Sequence, residues 1–315
     1  MGFDFASDVV AASFRSPVAV RQKLIFTQEV TAMKSWVRNS LPLLAISACL
    51  MWTAPSYAGN IFVSGHDADF HAISGNTVGA QHLIQQSLLF ARNGNTAPIL
   101  FVQSNASNIS LGDHLNSEQG LIASGFTAGN TAGNHYVIVD ATTFSTVNLS
   151  LFSAIFIPSD HGGTLTGNDL RALDNRASDI ITYLNGGGGL VAWAEDGNHQ
   201  PATPGPEPAL FGFLPFLVSS TGLSQGESGF TLSPFGASLG LTVSDINNNF
   251  SHNFFTGTGG MTPVDFDAAG RIITLGFSGP ITVSGVVPEP ETYAMLLAGL
   301  GLLGFVARRR RQKIA

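Results

Sequence analysis

The sequence contains one cysteine in 315 residues, and its charged residues make up only 11% of the chain. That cysteine, Cys49, lies in an apolar stretch near the amino terminus. No lysine occurs between Lys34 and Lys313. A domain formed by the residues that follow Cys49 therefore has no thiol nucleophile, no disulfide and no cysteine ligand for a metal.

Positive charge is scarce in the middle of the chain. Residues 59–287 contain sixteen acidic residues and only four basic ones, Arg92, Arg171, Arg176 and Arg271. Such an acidic surface repels nucleic acid and anionic lipid. The composition excludes nucleic acid as a partner and suits a soluble domain outside the cell.

Two motifs of common enzyme classes are also absent. The glycine run at 186–189 precedes a predicted strand and lacks the Lys-Ser/Thr of a phosphate-binding loop. No Gly-x-Ser-x-Gly sequence occurs, so a serine-hydrolase elbow has no support.

Residues 33–58 have the three parts of a secretory signal peptide. Lys34 and Arg38 give a positive start, residues 41–52 are apolar, and a small-x-small site ends at Ala58. We expect export by the Sec machinery and cleavage by signal peptidase after Ala58. Residues 1–32 are interpreted as a mis-assigned extension before a true start at Met33. The alternative is an unusually long positive region.

An apolar segment lies close to the other end of the chain. Residues 293–307 carry no charge over fifteen positions, with leucine and phenylalanine on every helical face. A bilayer core needs about 20 apolar residues, so this segment is short for a permanent span. Its all-round apolarity favours membrane insertion over the alternative, a buried soluble helix. Four arginines follow it: Arg308, Arg309, Arg310 and Arg311.

The order Pro288, Glu289, Pro290, apolar segment and arginine cluster resembles the PEP-CTERM sorting signal. The resemblance implies a Gram-negative bacterium that makes exopolysaccharide. It also implies cleavage near the Pro-Glu-Pro motif by an exosortase of that bacterium. The segment would then be a transient inner-membrane anchor, and the protein would reach the cell surface or the extracellular space. We assign the sorting signal to residues 286–315.

The domain between the two signals, residues 59–285, has the pattern of an α/β fold. Apolar runs without alternation predict buried parallel strands, and helical periodicity separates several of them. The predicted strands are 60–65, 97–104, 135–140, 153–159, 188–195 and, late in the chain, 271–279; the predicted helices are 77–94 and 166–187. This order predicts a doubly wound, mostly parallel sheet of the flavodoxin-like or amidotransferase-like kind. Residues 201–240, rich in Pro and Gly, are predicted to be an inserted loop.

Residues 60–279 also resemble the class I glutamine amidotransferase-like superfamily, and its ThuA-like branch most of all. The segments that carry this resemblance are 62–71, 152–163, 181–195 and 251–257. The superfamily has a cysteine at the elbow after the strand at 190–193, where this chain has Ala194-Glu195-Asp196-Gly197. Cysteine-dependent glutamine hydrolysis is therefore excluded, since the thiolate is the attacking group.

Polar residues are predicted at the carboxyl ends of the strands, where open α/β sheets bind ligands. The first set is His66, Asp67, Asp69 and His71. Imidazole and carboxylate groups bind divalent metals, so a metal is considered at this set, although no cofactor is predicted. The same residues equally suit a helix cap or a solvated turn.

Two further sets follow later strands. Asp160 and His161 come after Ser159, and Glu195 occupies the elbow with Asp196 and His199 beyond it. Asp160, His161 and Glu195 are the candidates for catalysis, with Glu195 as general base or ligand holder. A turn, a helix cap or a loop charge explains each equally well, and His252 suits a packed loop histidine.

Two functions are consistent with the sequence. The first is an exported surface or matrix protein, processed by an exosortase, associated with extracellular polysaccharide, and bearing a non-catalytic domain. The alternative is an extracellular ThuA-like enzyme or sugar-binding protein with a site at the strand ends. A fold alone does not choose between them.

Overall fold

A computed structural model describes residues 59–104, 117–160, 163–197, 207–225, 227–247, 251–281 and 299–300. The extension at 1–32 and the predicted signal peptide lie outside the described residues. The sorting signal does too, apart from Gly299 and Leu300, which are helical. Within the described part of the chain, no helix has the length and apolar character that crossing a membrane requires.

Six parallel strands form one half of the sheet. They are β1 (Asn60–Ser64), β2 (Ile99–Val102), β3 (Thr127–Ala128), β4 (His135–Val139), β5 (Ala154–Ile157) and β6 (Gly189–Ala192). Their spatial order is β3-β4-β2-β5-β6-β1, with every neighbouring pair parallel. The five strands predicted up to residue 195 are confirmed. We call the edge where these strands begin the amino edge, and the edge where they end the carboxyl edge.

Antiparallel strands continue the sheet beyond β1. They are β7 (Ser219–Gly222), β8 (Thr231–Leu232), β9 (Asn253–Gly257), β10 (Thr262–Phe266) and β11 (Ile272–Ser278). The late strand predicted at 271–279 is β11, and all five residues of β1 pair with it. The prediction of a loop at 201–240 is wrong in part, because β7 and β8 lie within it and pair with β9 and β10.

Short helices connect the strands. They are α1 (Ala68–His71), α2 (Thr77–Arg92), α3 (Ser117–Ala123), α4 (Ala141–Phe144), α5 (Gly167–Asn175), α6 (Ala177–Asn185), α7 (Pro234–Ser238) and α8 (Val243–Ile246), with a 3-10 turn at Leu149–Leu151. Helix α2 confirms the prediction at 77–94.

The single helix predicted at 166–187 is two helices. It begins with a capping box, in which the Thr166 side chain and that of Asp169 bond each other's backbone N–H. The backbone leaves the helical region at Arg176, between α5 and α6. The Arg176 guanidinium donates to the carbonyl oxygens of Phe144 and Val147, at 2.6 and 2.9 Å. These contacts are tertiary, so the helical periodicity could not reveal the break.

Apolar layers cover both faces of the sheet. Along β1, Ile61 and Val63 contact one layer and Phe62 contacts the other. Helices α5 and α6 pack on the first layer, while α2 and α3 pack on the second. A sheet covered on both faces needs apolar residues at every strand position, which explains the absence of alternation. The predicted α/β class with a mostly parallel sheet is confirmed.

The position of β1 is different from that in a flavodoxin-like sheet. In the flavodoxin-like order 2-1-3-4-5, the first strand lies between the second and third. In this protein β1 lies between β6 and β11. The flavodoxin-like order is therefore not confirmed. Because β5, β6 and β1 are neighbours, their three carboxyl ends lie side by side.

Gly189, at the start of β6, allows close packing of α2 on the sheet. A Cβ atom there would lie 2.1 Å from the Ala91 carbonyl oxygen, a backbone atom that cannot move alone. We expect Gly189→Ala to lower the free energy of unfolding by about 1–3 kcal/mol. Chemical denaturation measures the change.

A matched glycine provides the control. At Gly222, in β7, the nearest atom to an added Cβ is the His252 carbonyl oxygen at 3.8 Å, which is ordinary contact. Gly222→Ala should change the stability by no more than about 0.5 kcal/mol. Equal effects of the two substitutions would contradict this account of the packing.

Candidate functional site

The first set of candidate residues centres on the buried carboxylate of Asp67. Asp67 follows β1 and is 1% exposed. Its Oδ2 atom lies 3.0 Å from Nε2 of His252, and its Oδ1 atom lies 3.2 Å from Nε2 of His71. The structure thus brings Asp67 and His71 together, as one turn of α1 allows, and adds His252 from the segment before β9.

Hydrogen bonds on the far side of each ring indicate where its protons lie. Nδ1 of His71 lies 2.9 Å from the Ser74 carbonyl oxygen, which can only accept, so Nδ1 carries a proton. The charge of the nearby Asp67 carboxylate favours the imidazolium form of His71. Nδ1 of His252 lies 3.2 Å from the side-chain amide of Gln225, so this ring can accept there and donate through Nε2 to Asp67.

The pKa shifts of Asp67 and His71 agree with an ion pair. Burial pushes the pKa of Asp67 upward, but the hydrogen bonds and charges of His252 and His71 outweigh it and lower the pKa overall. Burial likewise pushes the pKa of His71 downward, but the Asp67 carboxylate raises it overall. Each partner stabilises the charged form of the other.

Asp69 belongs to a second, separate network. Its Oδ1 atom accepts from the Ser159 hydroxyl at 2.8 Å, and its Oδ2 atom accepts from the Ser159 N–H at 3.0 Å and the Ser117 hydroxyl at 2.6 Å. Burial raises the pKa of Asp69 to about 6 despite these bonds, and the charge of Asp67 adds to the effect. Asp69 thus ties the ends of β1 and β5 to the start of α3.

Asp160 binds the backbone of the loop after β6. Its carboxylate accepts from the N–H of Asp196 at 3.0 Å and from the N–H of Gly197 at 2.9 Å. Asp160 is fully buried, while Asp196 contributes its backbone rather than its carboxylate to this contact. His161 and His199 lie outside the described residues.

Glu195, at the elbow position, is also fully buried. Its Oε2 atom accepts from the Phe211 N–H at 2.5 Å, and its Oε1 atom is buried with no hydrogen-bond partner in the described structure. Burial, together with the charges of Asp160 and Asp174, raises its pKa well above the usual value. Burial thus favours the neutral form of this carboxyl group, which cannot accept a proton as a general base does.

His66 is directed away from the other members of its set. Its Nε2 atom lies 2.9 Å from Oδ2 of Asp265 in β10, and both side chains are fully buried. The Phe230 ring packs edge-on against the imidazole, with centroids 5.0 Å apart. His66 therefore joins β1 to the antiparallel half of the sheet.

The candidate residues thus share one edge of the sheet but make separate contacts. Asp67 and His71 meet directly, whereas His66, Asp69, Asp160 and Glu195 each contact other groups. Over the described residues, no three His, Asp or Glu side chains are arranged to hold a metal ion. Three cavities in the described structure have volumes of about 470, 310 and 820 Å3. None of them is lined by a candidate residue from the sets described above.

Sequence reasoning did not find Ser117, Gln225 or Asp265. Ser117 is 48 residues from Asp69, and Asp265 is 199 residues from His66. None of them lies in a local motif, so only the fold brings them to the edge. His252 had a signal, a histidine between Ser251 and Asn253 in a late polar segment.

The comparisons with known proteins concern the tail. Residues 286–311 match the family described as the PEP-CTERM protein-sorting motif. No curated protein and no solved structure matches the chain. The resemblance of residues 60–279 to the amidotransferase-like superfamily therefore has no support from these comparisons. The chain carries a PEP-CTERM sorting motif, which indicates export to the cell envelope or surface and implies an exosortase as processing partner.

Removal of the Asp67 charge should leave two buried histidines without their shared partner. We expect Asp67→Asn to lower the free energy of unfolding at pH 6 by about 3–5 kcal/mol, as measured in urea. Asp179→Asn is the control, because Asp179 is 59% exposed in its pair with Arg176. That substitution should cost about 1 kcal/mol at most, and equal losses would show that the Asp67 network is not a buried ion pair.

The buried carboxyl groups also predict a pH dependence. The pKa is raised for Asp69, Asp174 and Glu195, so the folded state binds protons more tightly than the unfolded state. The protonated carboxyl groups therefore stabilise the folded state, and this contribution is lost as pH rises. The raised pKa of His71 likewise stabilises the folded state at low pH, and that contribution is lost above about pH 6.5. The lowered pKa of Asp67 acts oppositely, at acidic pH. We expect maximal stability near about pH 5 and a decline towards pH 8.

Glu195→Gln tests the contribution of Glu195 to that decline. Glutamine is neutral like the protonated acid, so the variant should melt at a higher temperature than the wild type at pH 8 and show a flatter pH profile. Glu207→Gln, at an exposed acid, should leave the profile unchanged. A wild-type stability that increases steadily from pH 5 to pH 8 would refute the assignment.

Proposed function

We propose that this protein is exported through the inner membrane, held there transiently by its tail, cut by an exosortase near Pro288-Glu289-Pro290, and delivered to the cell surface or extracellular matrix. The observation that carries the proposal is the match of residues 286–311 to the sorting motif. The signal-peptide pattern at 33–58, with cleavage after Ala58, supports the export step.

As part of this proposal, the domain is non-catalytic and associates with extracellular polysaccharide. Its acidic, lysine-free composition supports a life outside the cell. The burial of the candidate residues supports the absence of catalysis, since Asp67, Asp69, Asp160 and Glu195 are at most 1% exposed. Any kinship with the amidotransferase-like scaffold belongs to this proposal and not to the findings.

The alternative, a ThuA-like enzyme or sugar-binding protein, is not favoured. A catalytic or sugar-binding group must reach its substrate. The carboxylates at the carboxyl edge instead accept hydrogen bonds from neighbouring backbone and side chains, as Asp160 does from the loop after β6 and Asp69 does from Ser159. Their first role is to join the ends of neighbouring strands.

Mass spectrometry of the surface form tests the processing. In a host that contains the exosortase, we expect a chain that begins at Gly59 and ends close to residues 288–290. Alanine at all three positions of the Pro-Glu-Pro motif should retain the full tail, whereas Glu207→Ala should be processed like the wild type. A surface form that still contains Arg308–Arg311 would contradict the proposal.

A further inference from the structure

Negative charge is unevenly divided between the two edges of the sheet. Acidic residues follow the carboxyl ends of β1, β4, β5 and β6, and two more lie at the end of β10 and in the turn after it. They are Asp67, Asp69, Asp140, Asp160, Glu195, Asp196, Asp265 and Asp267. The register places the turn at this edge too, because Ser64 pairs with Thr274. Most of these acids are buried, and Asp140 and Asp196 are the two that bring negative charge to the surface of the carboxyl edge.

The amino edge has few charged residues. Its described segments are 93–98, 124–126, 132–134, 148–153, 186–188, 215–218, 258–261 and 279–281, and these contain no Asp, Glu, Lys or Arg. The paired Arg176 and Asp179 line a cavity with residues of 148–153 and 186–188. A further charge is that of Arg92 at the end of α2. Its guanidinium is buried against this edge, where it donates to the Gly133 carbonyl oxygen and the Ser153 hydroxyl.

Both outer segments of the chain join the domain at this edge. The Gly59 N–H donates to the Leu184 carbonyl oxygen at 2.6 Å. The next residue, Asn185, holds Ile281 from both sides: the Ile281 N–H donates to its Oδ1 atom at 3.1 Å, and its Nδ2 atom donates to the Ile281 carbonyl oxygen at 3.2 Å. Residues before 59 and after 281 thus start from adjacent positions at the end of α6.

Two leucines are exposed near this junction. Leu151 is 61% exposed, in the 3-10 turn that packs beside α6. Leu217 is 91% exposed, next to Phe216, whose ring lies 4.5 Å from that of Phe277 in β11. Single exposed leucines are common, but these two lie on the edge that carries both chain junctions.

We propose that the amino edge lies against the lipid headgroups of the membrane while the tail anchors the chain, with Leu151 and Leu217 entering the interface. This inference rests on the proposed function, because the tail supplies the tether. The seven residues from Ile281 to Pro288 span at most about 25 Å, so the edge stays close to the bilayer. Anionic headgroups repel the exposed Asp140 and the half-buried Asp196 of the carboxyl edge, which favours this orientation.

Site-specific fluorescence tests the orientation. The full chain with Cys49→Ser has no other cysteine, so single labels can be placed by Leu151→Cys, Leu217→Cys and, at the exposed turn of the carboxyl edge, Ala269→Cys. A further label at Ala298→Cys reports insertion of the tail. The chain is reconstituted in vesicles of phosphatidylethanolamine and phosphatidylglycerol that contain a lipid with a nitroxide headgroup. Labels at 151 and 217 should be quenched roughly twofold more than the label at 269.

The outcomes separate this inference from the proposed function. Quenching at 298 with equal or weaker quenching at 151 and 217 than at 269 would overturn the edge assignment and leave the tether intact. Absence of quenching at 298 would overturn both, since no tether would exist. Leu217→Glu should reduce quenching of the label at 151, whereas the control Ala269→Glu should not.

Discussion

The pairing of β1 with β6 on one side and with β11 on the other holds the two halves of the sheet together. All five residues of β1 are buried, so the strand contributes to both apolar layers and leaves no side chain in water. The parallel half depends on β1 for its last neighbour, and the antiparallel half begins from it. Beyond its ends, the segment from Gly59 to His71 also supplies the amino-edge junction and the buried polar contacts of His66, Asp67 and Asp69.

Those polar contacts follow from the cost of burying charge. A carboxylate at the covered end of a strand needs hydrogen-bond donors, and the protein supplies them from distant segments. Asp67 takes two imidazoles and Asp69 takes two hydroxyls with one backbone N–H. Glu195 accepts from the Phe211 N–H, but burial and the charge of Asp160 outweigh this bond and raise its pKa. The carboxylates at the carboxyl edge thus join strand ends by hydrogen bonds and do not line an open cleft.

The uneven charge of the domain agrees with the route that its tail indicates. The net charge alone suggests repulsion from anionic membranes, yet the described loops at the edge with the chain junctions contain no Asp or Glu. A domain tethered at that edge would lie close to the bilayer with Asp140 and Asp196 on its far edge. After cleavage, the same acidity would favour solubility outside the cell.

Local sequence was sufficient for the sorting motif, the buried strands and helix α2, because periodicity, turn residues and short motifs carry that information. It also predicted that Asp67, Asp160 and Glu195 follow the carboxyl ends of strands. Only the tertiary structure decided that β1 lies beside β6 and that α5 and α6 separate at Arg176. It also decided that His66 bonds Asp265 and that Asp69 accepts from the Ser117 hydroxyl. Strand order and long-range hydrogen bonds depend on pairings between segments far apart in sequence, and no local pattern encodes them.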